Sequence, residues 1–130
     1  METLYVAHFG HPLLKGAKHW SFLLPTTPGH AYEYQLTGST YTYAFKAGEV
    51  ELASLQSCMG RVAVGTIDSA RQAEVMEVLE AGPITRGSVD WCCHDWIMYG
   101  MTALRERGFS IDALTHEELL SKLAEATVDF

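Results

Sequence analysis

The side chains best suited to chemistry gather in one segment, from about Asp90 to Gly108, which opens Asp90-Trp91-Cys92-Cys93-His94-Asp95-Trp96. Aspartate favours a helix N-cap, so Asp90 is expected to cap a helix with Trp91, Cys92 and Cys93 in its first turn. At helical spacing Cys93, Trp96, Ile97, Gly100, Met101 and Leu104 share one face, which turns toward the core. Cys92 is about a hundred degrees away, in line with Asp95 and Tyr99. The positive end of a helix dipole and the free N–H groups of a first turn favour a thiolate, so the Cys93 pKa is expected to fall. The same N–H groups could hold the oxyanion of a tetrahedral intermediate. The plainer alternative is that Cys93 is a small buried hydrophobe.

A thiol nucleophile needs a base. His19 opens a β-rich run and shares a strand face with Ser21 and Leu23, while Trp20, Phe22 and Leu24 share the other. An imidazole fixed on a strand and facing a helix N-terminus would complete a thiol–imidazole pair. His8, His11, His30, His94 and His116 compete for that role. His8-x-x-His11 and Cys92-Cys93-His94 also offer zinc ligands. Neighbouring ligands are expected to point apart, and no His-Glu-x-x-His helix occurs, so no metal is expected. Gly-x-Gly-x-x-Gly, Walker-type and Gly-x-Ser-x-Gly runs are absent.

The elements that must position these groups fall into two halves. Leu4–Phe9, His19–Leu24, Ala31–Thr37, Tyr41–Lys46, Val50–Leu55 and Arg61–Ile67 read as strands, with a hairpin around Gly38-Ser39. Their links are too short for helical crossovers, so the sheet is antiparallel. Tyr32, Tyr34, Tyr41 and Tyr43 alternate along the hairpin, where cross-strand aromatic pairs stabilise a sheet without any ligand. A helix starts near Asp68-Ser69 and stops at Gly82-Pro83. Thr115-His116-Glu117-Glu118 is a capping box for a last helix with Leu119, Leu120, Leu123 and Ala124 on one side. Strands followed by helices make an α+β domain, an antiparallel sheet packed against about three helices.

With 130 residues the chain is one domain, 1–130. Nine Lys plus Arg against sixteen Asp plus Glu give a net charge of −7, which disfavours nucleic acid as a partner. No apolar run reaches the roughly twenty residues of a membrane span, and no signal peptide is visible, so a cytoplasmic protein is expected. Three cysteines, two of them adjacent, do not make a disulfide framework. Gly10, Pro12 and Gly16 suit a loop, so the segment from His8 to Lys18 is a candidate lid.

The motifs His19-Trp20-Ser21-Phe22-Leu23, Tyr34-Gln35-Leu36-Thr37-Gly38, Tyr43-Ala44-Phe45-Lys46 and Cys92-Cys93-His94-Asp95-Trp96-Ile97 span roughly residues 19 to 108. Together they resemble a group of small fungal proteins with His-Trp on a strand and Asn-Cys-Gln-Asp-Trp-Val on a late helix. That group is similar to the permuted papain-like folds of the NlpC-like superfamily, which includes the lecithin:retinol acyltransferase relatives. The resemblance implies Cys93 as nucleophile, His19 as general base and Gln35 as the group orienting the imidazole, with His30 a weaker candidate for that third role. Cys92 stands where the motif has Asn, and neutral Gln35 stabilises an imidazolium less than a carboxylate would. The function implied is a cysteine-dependent hydrolase or acyltransferase, without a cofactor, acting on an amide, ester or thioester of a small molecule or peptide. Secondary metabolism is a natural setting. The alternative is a non-hydrolytic small-molecule-binding or cyclase-type protein on the same fold, with Trp20, Trp91 and Trp96 contacting the ligand.

Overall fold

The computed structural model describes residues 1–10, 19–55 and 57–126. Alternating apolar runs form five long strands: β1 (Glu2–Phe9), β2 (His19–Pro25), β3 (His30–Thr37), β4 (Ala44–Glu51) and β5 (Cys58–Ile67). A two-residue strand, β6 (Ser110–Ile111), completes a sheet of order β4-β3-β2-β1-β5-β6. Every neighbouring pair is antiparallel. Three helices follow the five long strands, with β6 between the second and third: α1 (Gln72–Glu80), α2 (Cys93–Glu106) and α3 (His116–Glu125). The α+β class and the antiparallel sheet expected from the sequence are therefore found.

All three helices contribute to one apolar cluster on one face of the sheet. There Trp20, Phe22 and Leu24 of β2 and Tyr34 and Leu36 of β3 meet Val75 and Leu79 of α1, Trp96 and Ile97 of α2, and Leu119 of α3. The six residues placed at helical spacing on α2, Cys93 through Leu104, are all buried. Glycine at position 100 lets α2 lie close: a Cβ there would stand 2.8 Å from Leu79 Cδ2 and 3.0 Å from the Phe22 ring. The opposite face carries a second, smaller cluster of Ala7, Leu23, Ala31 and Cys58, with Tyr5, Phe9 and Val50 packed against it.

Four local expectations are corrected. The hairpin exists, but β4 starts at Ala44, pairs it with Thr37 and runs on to Glu51, absorbing most of the strand expected over Val50–Leu55. Gly38 at φ +95° makes the turn, since a Cβ there would stand 2.6 Å from the Thr42 carbonyl oxygen. Tyr41 and Tyr43 consequently fall in the loop: Tyr41 is 75% exposed, and the four-tyrosine ladder is reduced to the Tyr32–Tyr34 contact at 5.2 Å. Residues 52–54 form a 3₁₀ turn. Asp90 does not cap α2, because Ser88 holds the main-chain N–H groups of Asp90 and Trp91 in a preceding turn. The Thr115 capping box is present in both directions: Glu118 N–H donates to Thr115 Oγ1 at 3.1 Å and Thr115 N–H to Glu118 Oε1 at 3.0 Å.

Candidate functional site

Helix α2 begins one residue after Cys92, whose extended backbone (φ −146°, ψ −174°) makes it the N-cap. Its N–H donates to Asp95 Oδ2 at 2.8 Å, and Asp95 N–H returns to the Cys92 carbonyl at 3.0 Å. Asp95, three residues after the cap, thus secures the Cys92 N–H, a different bond from the first-turn contact expected of Asp90. This start has a chemical consequence. A non-helical N-cap does not follow the hundred-degree rotation of helical residues, and the Cys92 thiol comes back over the first turn. Cys92 Sγ, Cys93 Sγ and a ring nitrogen of His94 all lie within 4.8 Å of one another. Three consecutive donors converge, where they were expected to point apart.

Cys93 is the first helical residue and is only 8% exposed. Burial pushes its thiol up to about 11, and hydrogen bonds from the main chain of Trp20 and of Cys93 itself offset only part of that rise. The expected acidic thiol is not found, because the helix start that favours a thiolate lies in an apolar setting that disfavours any charge. All three cysteines are free thiols.

The imidazole of His94, also buried, stacks on the Trp20 indole with ring centroids 3.6 Å apart and planes at 16°. Its Nδ1 is 3.1 Å from Nε2 of His116. His116 is the first residue of α3, set there by the Thr115 cap, and its ring lies 5.2 Å from Trp20. The starts of two helices therefore bring a thiol and two imidazoles together. The Tyr43 phenol faces the same group: burial first, then Cys92, Cys93 and Asp95, raise its pKa. Trp91 packs edge-on to Tyr43 at 5.5 Å, and both are half-buried.

His19 and Gln35 meet as well, but elsewhere. His19 Nε2 lies 2.7 Å from Gln35 Oε1. The Gln35 amide donates to Glu33 Oε1 at 3.0 Å, and Ser21 Oγ donates to Glu33 Oε2 at 2.9 Å. Phe9 pairs with His19 across the strands and its ring is 5.8 Å away. This network belongs to the face of Phe9 and Leu23, whereas Cys93 packs with Trp20 and Phe22 on the helix face. No hydrogen bond joins His19 to Cys93 among the described residues.

His30 opens β3, half-buried, with its Nδ1 3.3 Å from the Pro28 carbonyl of the preceding turn. His8 is buried on the helix face, opposite Trp20 in register. His11 and most of the candidate lid lie outside the described residues. Of the three tryptophans assigned to ligand contact, Trp20 and Trp96 are core side chains at 0% and 1% exposure. Trp91 alone keeps a free surface. A separate cavity of about 310 Å³, lined by Tyr32, Tyr34, Gln72, Ala73 and Met76, opens between β3 and α1.

Fold and site together define an α+β protein with a thiol–histidine cluster at a helix start. Compared with profiles of known protein families, with curated proteins and with solved structures, the chain matches none. The sequence placed Tyr43 only in a hairpin ladder and a family motif, not beside the thiols, and singled out neither Glu33 nor the pairing of His94 with His116. The only signal for that pairing was that each histidine stands at or next to a predicted helix start.

Proposed function

We propose that the protein is a thiol-dependent hydrolase or acyltransferase acting on an amide, ester or thioester, with Cys93 as the nucleophile. The observation that carries this reading is the convergence of the Cys93 thiol with His94, backed by His116 at 3.1 Å. Because burial keeps Cys93 neutral, its proton must leave as the sulfur attacks, in the manner of a serine–histidine pair. His94 takes that proton while the C–S bond forms, and His116 holds the ring and shares its charge. Main-chain N–H groups at the start of α2 are the donors available to the oxyanion. The protonated imidazole then delivers the proton to the leaving group, and water or a second nucleophile releases the acyl group from sulfur. Tyr43 and Trp91, half-exposed beside the thiols, form the wall a small molecule or peptide would contact. In the version implied by the superfamily resemblance, His19 is the base and Gln35 its orienting group. A setting in fungal secondary metabolism comes from the same resemblance, and three free thiols accord with a reducing, cytoplasmic compartment.

The test is acyl turnover on a panel of esters, thioesters and amides by Cys93→Ser, His94→Gln and His19→Ala. Cys93→Ser should abolish turnover and His94→Gln should slow it by roughly 10²–10⁴-fold. A large loss in His19→Ala with none in His94→Gln would move the base to His19. Unchanged turnover in Cys93→Ser would end the thiol reading.

The cavity beside α1 favours a second reading, small-molecule binding or a cyclase-type role. Two tyrosines, Met76 and Ala73 offer an apolar, aromatic lining with the Gln72 amide as a polar point. Ligand-dependent quenching that survives Cys93→Ser but is blocked by Ala73→Phe is the expected signature.

A further inference from the structure

The cluster at the start of α2 has the composition of a soft-metal site, a property separate from acyl transfer although it shares Cys93 with that reading. Two thiols and one imidazole supply ligand atoms within 4.8 Å of one another. Zinc takes sulfur at about 2.3 Å and imidazole nitrogen at about 2.0 Å, so ligands around one tetrahedral ion stand about 3.3–3.8 Å apart. Side-chain torsions need close the present cluster by only about 1 Å. The half-buried Cys92 gives an ion a way in from solvent, while Cys93 and His94 are buried around it. His94 is already oriented by Trp20, stacked on its ring, and by His116, 3.1 Å from its Nδ1, the kind of outer contact that fixes a ligating imidazole.

We propose that Cys92, Cys93 and His94 bind one zinc ion through two thiolates and one neutral imidazole, leaving a fourth position open to water. Binding is ligand exchange without redox change: each thiol releases one proton to solvent, and the ion loses waters from its hydration shell. Zinc and an acyl substrate would then compete for the Cys93 sulfur, so the ion acts as a reversible block on the thiol.

The experiment uses the reduced, metal-free protein and reads binding directly. Titration with zinc against a chromophoric chelator should give one ion per chain. Cobalt in its place should show a sulfur-to-cobalt charge-transfer band and tetrahedral visible absorption. Cys92→Ser and His94→Gln should each weaken zinc at least tenfold, and Cys58→Ser should leave it unchanged. In the wild-type chain, zinc should protect Cys92 and Cys93 from alkylation, a readout that does not depend on any variant folding. Absence of a 1:1 complex, a cobalt spectrum without the sulfur band, or alkylation unaffected by zinc would overturn the site. None of these readouts involves turnover, so failure of the acyl-transfer reading and failure of the zinc site are distinguishable.

Discussion

One strand feeds two different polar centres. On β2, Trp20 points to the helix face, where it carries the stacked His94. Its neighbour His19 points to the opposite face, where it meets Gln35, Glu33 and Ser21. The helix-face centre is built from helix starts, combines two thiols with two imidazoles, and sits over a large aromatic core. The opposite centre is built within the sheet, holds a carboxylate, and is flanked by small residues such as Ala7 and Ala31. A residue's chemistry is thus decided by the parity of its position on a strand: one step along β2 exchanges the imidazole stacked on Trp20 for the Gln35 amide at His19.

The sharpest way to break the helix face is to remove its largest member on α2. Trp96 is 1% exposed and meets the rings of Phe22 and Phe45 at 5.8 and 5.9 Å. Trp96→Ala should destabilise the protein by about 3–5 kcal/mol, read as a lowered denaturation midpoint. Phe9→Ala on the opposite face, only half-buried, should lose less. Equal losses would show that the two clusters carry equal weight.

Next in size is the thiol itself. With Cys93 pushed up to about 11 from an ordinary 9.0, its alkylation at pH 7 should run about a hundredfold slower than that of a free thiol, with the inflection near pH 11. The raised value also fixes a sign. The neutral thiol is the stabilised form, so its contribution to stability is complete below about pH 9 and is lost as pH rises toward 11. Peptide mass spectrometry on each cysteine separately checks this, and fast reaction of Cys93 near pH 6 would refute it.

How much of this was legible in the sequence depends on the range of the interactions. The buried face of α2 and the Thr115 cap follow from spacings of three and four residues, and both are found. The alternation along β2 was read correctly too. What the alternation did not settle is which side the helices cover: His19 is expected to face the start of α2, and instead it lies on the face of Phe9 and Leu23. The His94–His116 contact spans 22 residues between two helix starts and leaves no local pattern. The helix start at Cys92 depended on whether an aspartate acts at the N-cap, as expected of Asp90, or at N3, as Asp95 does, and either position suits a carboxylate.

On the opposite face the comparison sharpens through Glu33, which is 8% exposed and accepts from both Ser21 and Gln35. Glu33→Ala leaves the buried Ser21 hydroxyl and the half-buried Gln35 amide without this acceptor and should lower stability by about 1–3 kcal/mol. Glu33→Gln, which keeps an acceptor in place, should lose less. Neither change should alter Cys93 alkylation if the two centres are independent, and a parallel change in both would couple them across the sheet.

The smallest expected effect tests what holds His116 beside His94. Thr115→Ala removes the oxygen that accepts Glu118 N–H and should destabilise by about 1 kcal/mol. The loss is local to the start of α3, the element that presents His116. The His94–His116 contact should therefore loosen more than the sheet does, while the His19–Gln35 pair stays intact. Imidazole resonances followed by NMR separate these outcomes. If His94 and His116 keep their shifts while the denaturation midpoint falls, the histidine pair is held by Trp20 stacking rather than by the cap. If they move and His19 does not, the cap of α3 is what aligns the second imidazole behind the thiol.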